Sequence, residues 1–318
     1  MERDSRIFVA GHRGLIGAAL VRRLRADGHR HVLTRDHAAL DLVDGAQVDR
    51  FFADERPEYV FLAAGKVGGI EANRTTPADF IRVNLLMQAT VIHAAWAHGV
   101  RRLLFFGSGC MYPLGCPQPM AEGALFTGPV EPTSDAYAVA KLAGVKMCEA
   151  YNRQHGTSFL TVIPASVYGP NDHFDPRDSH VLAALVRKCH EAKTSGTPAV
   201  VWGTGTPRRE FVYVDDVADA CVALMRAAAP PTVVNVGAGH DVSIRELAER
   251  IGALVGLDAP LAFDTSRPDG APRKLLDSSR MRALGWIPAT SLDAGLARTY
   301  AWFQQAAAGE RPLAGALR

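Results

Sequence analysis

In the stretch Tyr137-Ala138-Val139-Ala140-Lys141 a phenol and a primary amine stand four residues apart, a spacing that puts both on one face of a helix. An ammonium at ~4 Å from a phenol, in an effective dielectric of ~20, favours the phenolate by ~4 kcal/mol. At ~1.36 kcal/mol per unit, a phenol of reference pKa about 10 moves as much as ~3 units toward neutrality. So poised, it can donate a proton to a carbonyl oxygen while hydride reaches the carbon, which is general acid catalysis. The same spacing also describes a half-buried ring beside a solvated amine, so its meaning depends on whether a nucleotide site precedes it.

The elements before it supply one. Ile7-Phe8-Val9-Ala10 is a short apolar run that ends in Gly11-His12-Arg13-Gly14-Leu15-Ile16-Gly17, followed by an amphipathic segment with Leu20, Val21 and Leu24 and a stop at Gly28. Read as strand, turn and helix, Gly11, Gly14 and Gly17 allow a tight turn, close approach to a pyrophosphate and packing of helix on sheet. The helix N-terminus offers free N–H groups to the anion. A second strand, His31-Val32-Leu33, runs into Thr34-Arg35-Asp36. There an acid favours a free ribose hydroxyl, whereas Arg13 and Arg35 can clamp a 2′-phosphate or stand as ordinary surface groups; the balance favours NADPH.

Further runs that are apolar on both faces, Tyr59–Ala63, Leu103–Phe106, Phe159–Ile163 and Val233–Gly237, alternate with helical stretches such as Leu85 to His98. This predicts an α/β fold, a Rossmann-like doubly wound parallel sheet with ligands beyond the carboxyl ends of its strands, where Gly65, Ser108 and Pro164 fall. After Pro164 the alternation weakens into turn-rich sequence. A smaller α/β substrate-binding domain is expected from 164–210 and 238–318, with 1–163 and 211–237 forming the dinucleotide half. The alanine- and glycine-rich tail after Gln305 is expected to fray.

Composition excludes several alternatives. The 35 basic and 33 acidic residues of the 318 are scattered, with no basic block or aromatic module for nucleic acid. Five cysteines, Cys110, Cys116, Cys148, Cys189 and Cys221, are odd in number and form no Cys-x-x-Cys pair, which argues for reduced thiols in a cytoplasm and against a disulfide framework or a metal site. A polar start and the lack of any apolar stretch near 18 residues imply a soluble, unexported chain with no membrane partner.

The residues Gly11 to Gly17, Ser108, Tyr137 and Lys141, with Ala64–Ile70, Cys110-Met111-Tyr112-Pro113, Val201–Gly205 and Lys274–Asp277, resemble the extended short-chain dehydrogenase/reductases that act on nucleotide sugars. Within them the chain is similar to the NADPH-dependent enzymes that epimerise and reduce a GDP-4-keto-6-deoxy sugar for surface polysaccharide, over roughly residues 6–303. The resemblance implies that Tyr137 protonates the C4 oxygen, Ser108 hydrogen-bonds it, and Lys141 tunes the phenol and holds the nicotinamide ribose. It makes Cys110 and His180 the base and acid of epimerisation at C3 and C5. Both carbons flank the ketone, so one oxyanion site would serve both steps. It assigns NADP(H) to Gly11, Arg13, Gly14, Leu15, Ile16, Gly17, Arg35, Asp41, Leu42, Ala64, Gly65, Lys141, Pro164, Val167 and His180.

For the GDP-sugar, the resemblance implies Lys188, Trp202, Arg209 and Asp269, with Arg209 on the diphosphate. An arginine fork suits phosphate and an indole can wall a pocket. Arg208 is adjacent, so either arginine could be the surface one, and Asp269 lies in a Pro-Asp-Gly sequence that turn chemistry alone would explain. Two departures fall inside the site: Gly109 replaces a common serine, and Ala165-Ser166 replaces Thr-Asn after Pro164. They leave a C4 reductase without epimerisation, acting on a hexose or heptose, as the alternative. A homodimer is also implied, with Ala89 to His98 and Ala138 to Tyr151 as candidate contact helices.

Overall fold

The first apolar run becomes β1 (Arg6–Ala10), and the glycine turn leads from it into α1 (Leu15–Ala26), β2 (His31–Leu33), α2 (Gly45–Glu55) and β3 (Tyr59–Leu62). The chain continues through α3 (Ile70–Thr75), α4 (Pro77–Ala97), β4 (Arg102–Phe106), α5 (Asp135–His155) and β5 (Phe159–Pro164). It then leaves the sheet for β6 (Ser166–Tyr168), α6 (Val181–Ser195), β7 (Ala199–Trp202), β8 (Arg208–Arg209) and β9 (Phe211–Tyr213), and returns through α7 (Val214–Arg226) to β10 (Val233–Val236). The remainder is β11 (Val242–Ser243), α8 (Ile244–Val255), β12 (Leu261–Asp264), β13 (Arg273–Lys274), α9 (Ser279–Ala283) and α10 (Leu292–Ala307). This computed structural model describes residues 1–175, 179–267 and 269–309.

Six parallel strands run in the order β2-β1-β3-β4-β5-β10. Alternation along each strand explains the runs that are apolar on both faces. Phe8, Leu62, Leu103, Phe105 and Ile163 face one core with α2, α4 and α5. Ile7, Val9, Phe61, Leu104 and Val162 face the other with α1 and α7. Strand order reverses between β1 and β3, and a doubly wound sheet opens its ligand crevice at that reversal.

A third core joins Leu182, Val186, Cys189, Leu247, Ile251, Trp302 and Phe303 from α6, α8 and α10. Around it lie small sheets, β11-β8-β13, β12-β7 and β6-β9. Ser243 and Glu246 close a reciprocal capping box on α8. Met281 and Trp286 come from the stretch assigned by sequence to the substrate half, yet they pack into the sheet core, where Arg280 Nη1 also donates to the Val233 carbonyl at 2.8 Å. Helix α4 starts at Pro77, ahead of the expected Leu85, because proline suits the first helical position and Phe80 is already buried there. Helix α10 continues past Gln305 to Ala307, and positions 310–318 of the tail lie outside the described residues. Among the described residues no helix is long and apolar enough to cross a membrane.

Candidate active site

Where β4 ends, Ser108 is extended and caps a single 3-10 turn, Gly109–Met111, its Oγ accepting the Cys110 N–H at 3.3 Å. That turn holds Cys110, partly exposed, beside Tyr137 near the start of α5. The Tyr137 phenol shares a hydrogen bond with Ser108. One turn on, Lys141 is only 4% exposed, and its Nζ donates to the Phe106 carbonyl at 3.0 Å while lying 5.9 Å from the centroid of the Tyr137 ring.

Burial pushes the Tyr137 phenol up; Cys110 adds to the push and the Ser108 hydrogen bond opposes it. Burial also brings the Lys141 ammonium down to about 8. The expected acidification of the phenol is therefore reversed. Removal from water disfavours the charged form of both groups, and the ammonium is spent on a backbone carbonyl rather than on the phenol.

Asn84 is a residue the sequence reading passed over. It is buried inside α4, accepts from the Lys66 N–H at 3.1 Å and donates to the Lys66 carbonyl at 2.9 Å, which fixes Ala64-Gly65-Lys66 at the end of β3. A Cβ on Gly65 would lie 3.2 Å from Asn84 Oδ1 and 3.5 Å from Lys141 Nζ, so backbone and ammonium approach closely here. The available signal was an amide within an otherwise apolar helical run.

At the end of β1 the glycines are demanded by contact. Gly11 has φ of +81°, and a Cβ on it would stand 2.7 Å from the Ala64 nitrogen. The Gly14 N–H donates to the Gly11 carbonyl at 3.0 Å, and Leu15 and Ile16 then open α1 with their N–H groups toward the crevice end of the helix. A Cβ on Gly17 would fall 2.1 Å from the Gly11 oxygen. Replacing Gly17 with Ala is therefore expected to open the turn, costing about 1–3 kcal/mol of stability and at least ~10-fold in NADPH affinity. Thermal denaturation and a fluorescence titration check this; unchanged values for both would show that the turn tolerates a methyl group.

The adjacent arginines differ. Arg13 pairs with Asp36 at 3.1 Å and stays 60% exposed, whereas Arg35 pairs with Glu55, donates to the Thr34 carbonyl at 2.8 Å and lies 5.4 Å from the Phe51 ring centroid. Asp41 accepts from the Val43 N–H at 3.1 Å and the Leu42 carbonyl accepts from Thr90 Oγ1 at 2.5 Å, which ties this edge to α4. Pro164 ends β5 opposite Val236, and Val167 lies in β6 opposite Val212. His180 is exposed at the N-cap of α6.

On the other wall the two adjacent arginines take different partners. Arg208 is held by Asp241 at 2.9 Å and by Glu246 at 3.6 Å. Arg209, turned oppositely on β8, donates to the Ala271 carbonyl at 2.6 Å and interacts electrostatically with Cys110 and Asp269; burial lowers its pKa. Asp269 fastens the turn after β7, accepting from the Thr204 N–H at 3.0 Å and from Thr204 Oγ1 at 2.7 Å. Trp202, at the end of β7, is half exposed, with Lys188 Nζ 4.7 Å and Arg267 Cζ 5.0 Å from its ring centroid. Burial lowers the Lys188 ammonium, with nearby Arg267 adding to the effect. Arg267 was not singled out from sequence; a basic residue beside a Pro-Asp-Gly sequence reads as a solvated turn.

The site thus extends from Gly65 through Lys141, Tyr137, Ser108 and Cys110, by electrostatic interaction, to Arg209 and Asp269, which holds Thr204. Its chemistry is graded. A proton donor and hydroxyl stand at the dinucleotide crevice, a thiol in the middle, and cations with an exposed indole at the far end.

Residues 7–237 match the family described as the NAD dependent epimerase/dehydratase family. The chain is 53% identical over 303 residues to GDP-L-fucose synthase 1 of Arabidopsis thaliana, covering 95% of this chain and 94% of that one. It is 49% identical over 308 residues to GDP-L-fucose synthase of Escherichia coli (strain K12), covering 94% and 96%. Among solved structures, GDP-mannoheptose C4 reductase from Campylobacter jejuni with NADP bound aligns at a TM-score of 0.87 and 38% identity, over 96% of this chain and 99% of that one. A doubly wound sheet with its glycine turn at the strand reversal, together with these matches along almost its whole length, places the chain in the NAD dependent epimerase/dehydratase family.

Proposed function

We propose that the chain is an NADP-dependent nucleotide-sugar epimerase/reductase of the GDP-L-fucose synthase type, reducing a GDP-4-keto-6-deoxy sugar at C4 and epimerising it at C3 and C5. The observation that carries this reading is that Cys110 interacts electrostatically with both Tyr137 and Arg209, which brings a thiol, a proton donor and a phosphate-binding cation within range of one another. Relatives at about half identity carry that activity in their names. The heptose enzyme is the more distant match at 38% identity, which leaves the hexose reading ahead of the heptose alternative.

The cofactor is NADP(H), which supplies the hydride. The turn Gly11 to Gly17 fits its pyrophosphate, because backbone packing at Gly11 and Gly17 holds a tight turn that leads straight into the N–H groups at the start of α1. Arg13, Arg35, Asp41 and Leu42 flank the adenosine end, and Ala64, Gly65, Pro164, Val167 and His180 the nicotinamide end. In the half-reaction at C4, Tyr137 donates its proton to the carbonyl oxygen and Ser108 steadies that oxygen by a hydrogen bond. Lys141 keeps a positive charge under the site. In epimerisation, Cys110 removes the proton from the carbon beside the ketone, the same hydroxyl pair holds the enolate oxygen, and His180 returns a proton on the opposite face. Arg209 engages the diphosphate, and Lys188, Trp202 and Asp269 the rest of the nucleotide.

The halves divide near Pro164, with β9, α7, β10 and α9 on the sheet side. The chain pairs as a homodimer through α4 and α5, a reading favoured by exposed Leu86, Trp96 and Val139 on those helices. Its five free thiols favour a cytoplasmic setting, and its product would serve as a surface-polysaccharide precursor.

The test is turnover of NADPH with GDP-4-keto-6-deoxy-mannose in heavy water, with the label located by NMR. Consumption of NADPH with deuterium at C3 and C5 is expected. Consumption without label would mean a simple reductase, and no consumption would direct the search to the corresponding heptose.

A further inference from the structure

Glu210 directly follows Arg209 and is 1% exposed, without a lysine or arginine ion pair among the described residues, His240 being a basic side chain that interacts with it electrostatically. Its carboxylate is instead surrounded by backbone donors. Oε1 accepts from the Gly239 N–H at 2.6 Å and Oε2 from the Leu276 N–H at 2.8 Å, and the Ala238 N–H adds a third hydrogen bond. Burial pushes this carboxyl up and the backbone donors hold it down. Gly237 has no room for a side chain, since a Cβ there would lie 2.3 Å from Oε1. The main chain of the same residue is tied on both sides: its N–H donates to the Lys274 carbonyl at 3.2 Å and its carbonyl accepts from the Ser166 N–H at 3.1 Å.

These bonds collect four segments at one residue: the end of β10, the strand β13 with Leu276, the exit from β5, and β8 itself. Leu276 carries the connection farther, because Leu275 and Asp277 on either side of it exchange backbone hydrogen bonds with Met120, each at 2.8 or 2.9 Å. Met120 belongs to the loop that descends from the Cys110 turn. Glu210 thus fixes the strand that presents Arg209 and ties it, through Leu276, to the segment paired with Met120.

We infer that Glu210 is a positioning residue that sets Arg209 against the catalytic cluster, so that the sugar diphosphate is held in register with Tyr137 and Cys110. This rests on the reading of Arg209 as the diphosphate partner. Residues that touch the ligand need such buried support to hold their geometry. A carboxylate suits the task because both of its oxygens accept from backbone N–H groups. Glutamine at 210 offers one acceptor, and its amide group meets the other N–H donor to donor.

The experiment is steady-state kinetics on E210Q, R209A and the double variant, with NADPH and GDP-4-keto-6-deoxy-mannose each varied. E210Q is expected to raise KM for the GDP-sugar about 10-fold, with kcat and the KM for NADPH within ~3-fold of wild type. In the R209A background the same change is expected to add less than ~2-fold, because residues acting through one contact are not additive. An unchanged GDP-sugar KM in E210Q, or effects that simply multiply in the double variant, would overturn the inference. R209A with an unchanged GDP-sugar KM would instead overturn the diphosphate role of Arg209. Where E210Q does not accumulate, E210D withdraws the same carboxylate by one methylene, and the same outcomes decide.

Discussion

Replacing Tyr137 with Phe is expected to lower C4 reduction by about 100- to 10,000-fold while leaving the NADPH dissociation constant within ~2-fold. The phenyl ring keeps the T-shaped contact with Phe80 at 6.1 Å, so the helix face and its packing survive and only the hydroxyl is lost. The Ser108 hydroxyl remains but cannot supply the proton at the same point. Stopped-flow absorbance reads the reduction and fluorescence quenching reads the binding; reduction at near wild-type rate would remove the general-acid role. The pH dependence should carry the mark of the neighbouring ammonium. Burial keeps Tyr137 protonated through the neutral range, so the phenol sets no limb there. Lys141, at about 8, is charged below that pH and loses its proton as pH rises through it, so kcat/KM is expected to fall above about pH 8. A profile flat to pH 10 would show that the lysine charge is not required.

Replacing Cys110 with Ser is expected to suppress deuterium exchange at C3 and C5 by about 100-fold or more, while NADPH is still consumed in forming the unepimerised C4 alcohol. A serine hydroxyl has nearly the same shape but is a far weaker base than a thiolate, and the interaction with Arg209 cannot supply that difference. The substitution also leaves in place the residue 110 backbone N–H that Ser108 Oγ caps, so the oxyanion partners stay aligned. This separates the two halves of the chemistry: loss of exchange with retained oxidation of NADPH assigns the base, whereas exchange at the wild-type rate would take that role from the thiol. Beside it, a Cβ on Gly109 would meet nothing within 4 Å, so a serine at this position would displace no neighbour.

Where contacts are local, they could be read from residue order. The glycine turn, the apolar strands and the pairing of Tyr137 with Lys141 depend on spacing within one element or one turn. Other features depend on contacts across distant segments. Which of Arg208 and Arg209 is held by carboxylates depends on the orientation of a two-residue strand whose partners lie near 242 and 273. Asp269 fastens Thr204, 65 residues away in the chain, a contact that its own Pro-Asp-Gly sequence does not announce. Asn84, Glu210 and Arg267 act through partners remote in sequence or on a ring that stands exposed. The direction of the tyrosine shift was missed for a different reason. Spacing gives the Coulombic attraction of a pair but says nothing of how far both members have been taken from water, and here that loss is larger.

Strand β10 pairs with β5 in the register Val233 to Thr161 through Val236 to Pro164, with β6 to β9 and two helices spent between them. A ribosome making this chain therefore has most of the sheet in hand long before the strand that closes its edge, and the Met281 and Trp286 packing under that strand arrives later still. Until then the β5 edge exposes unpaired backbone, which is the surface on which partly made chains stick to one another. Such long-range closure is slow. Yield in a cell is thus governed by how that open edge is shielded during synthesis, and a chaperone that binds extended backbone should raise it more than lowered temperature alone.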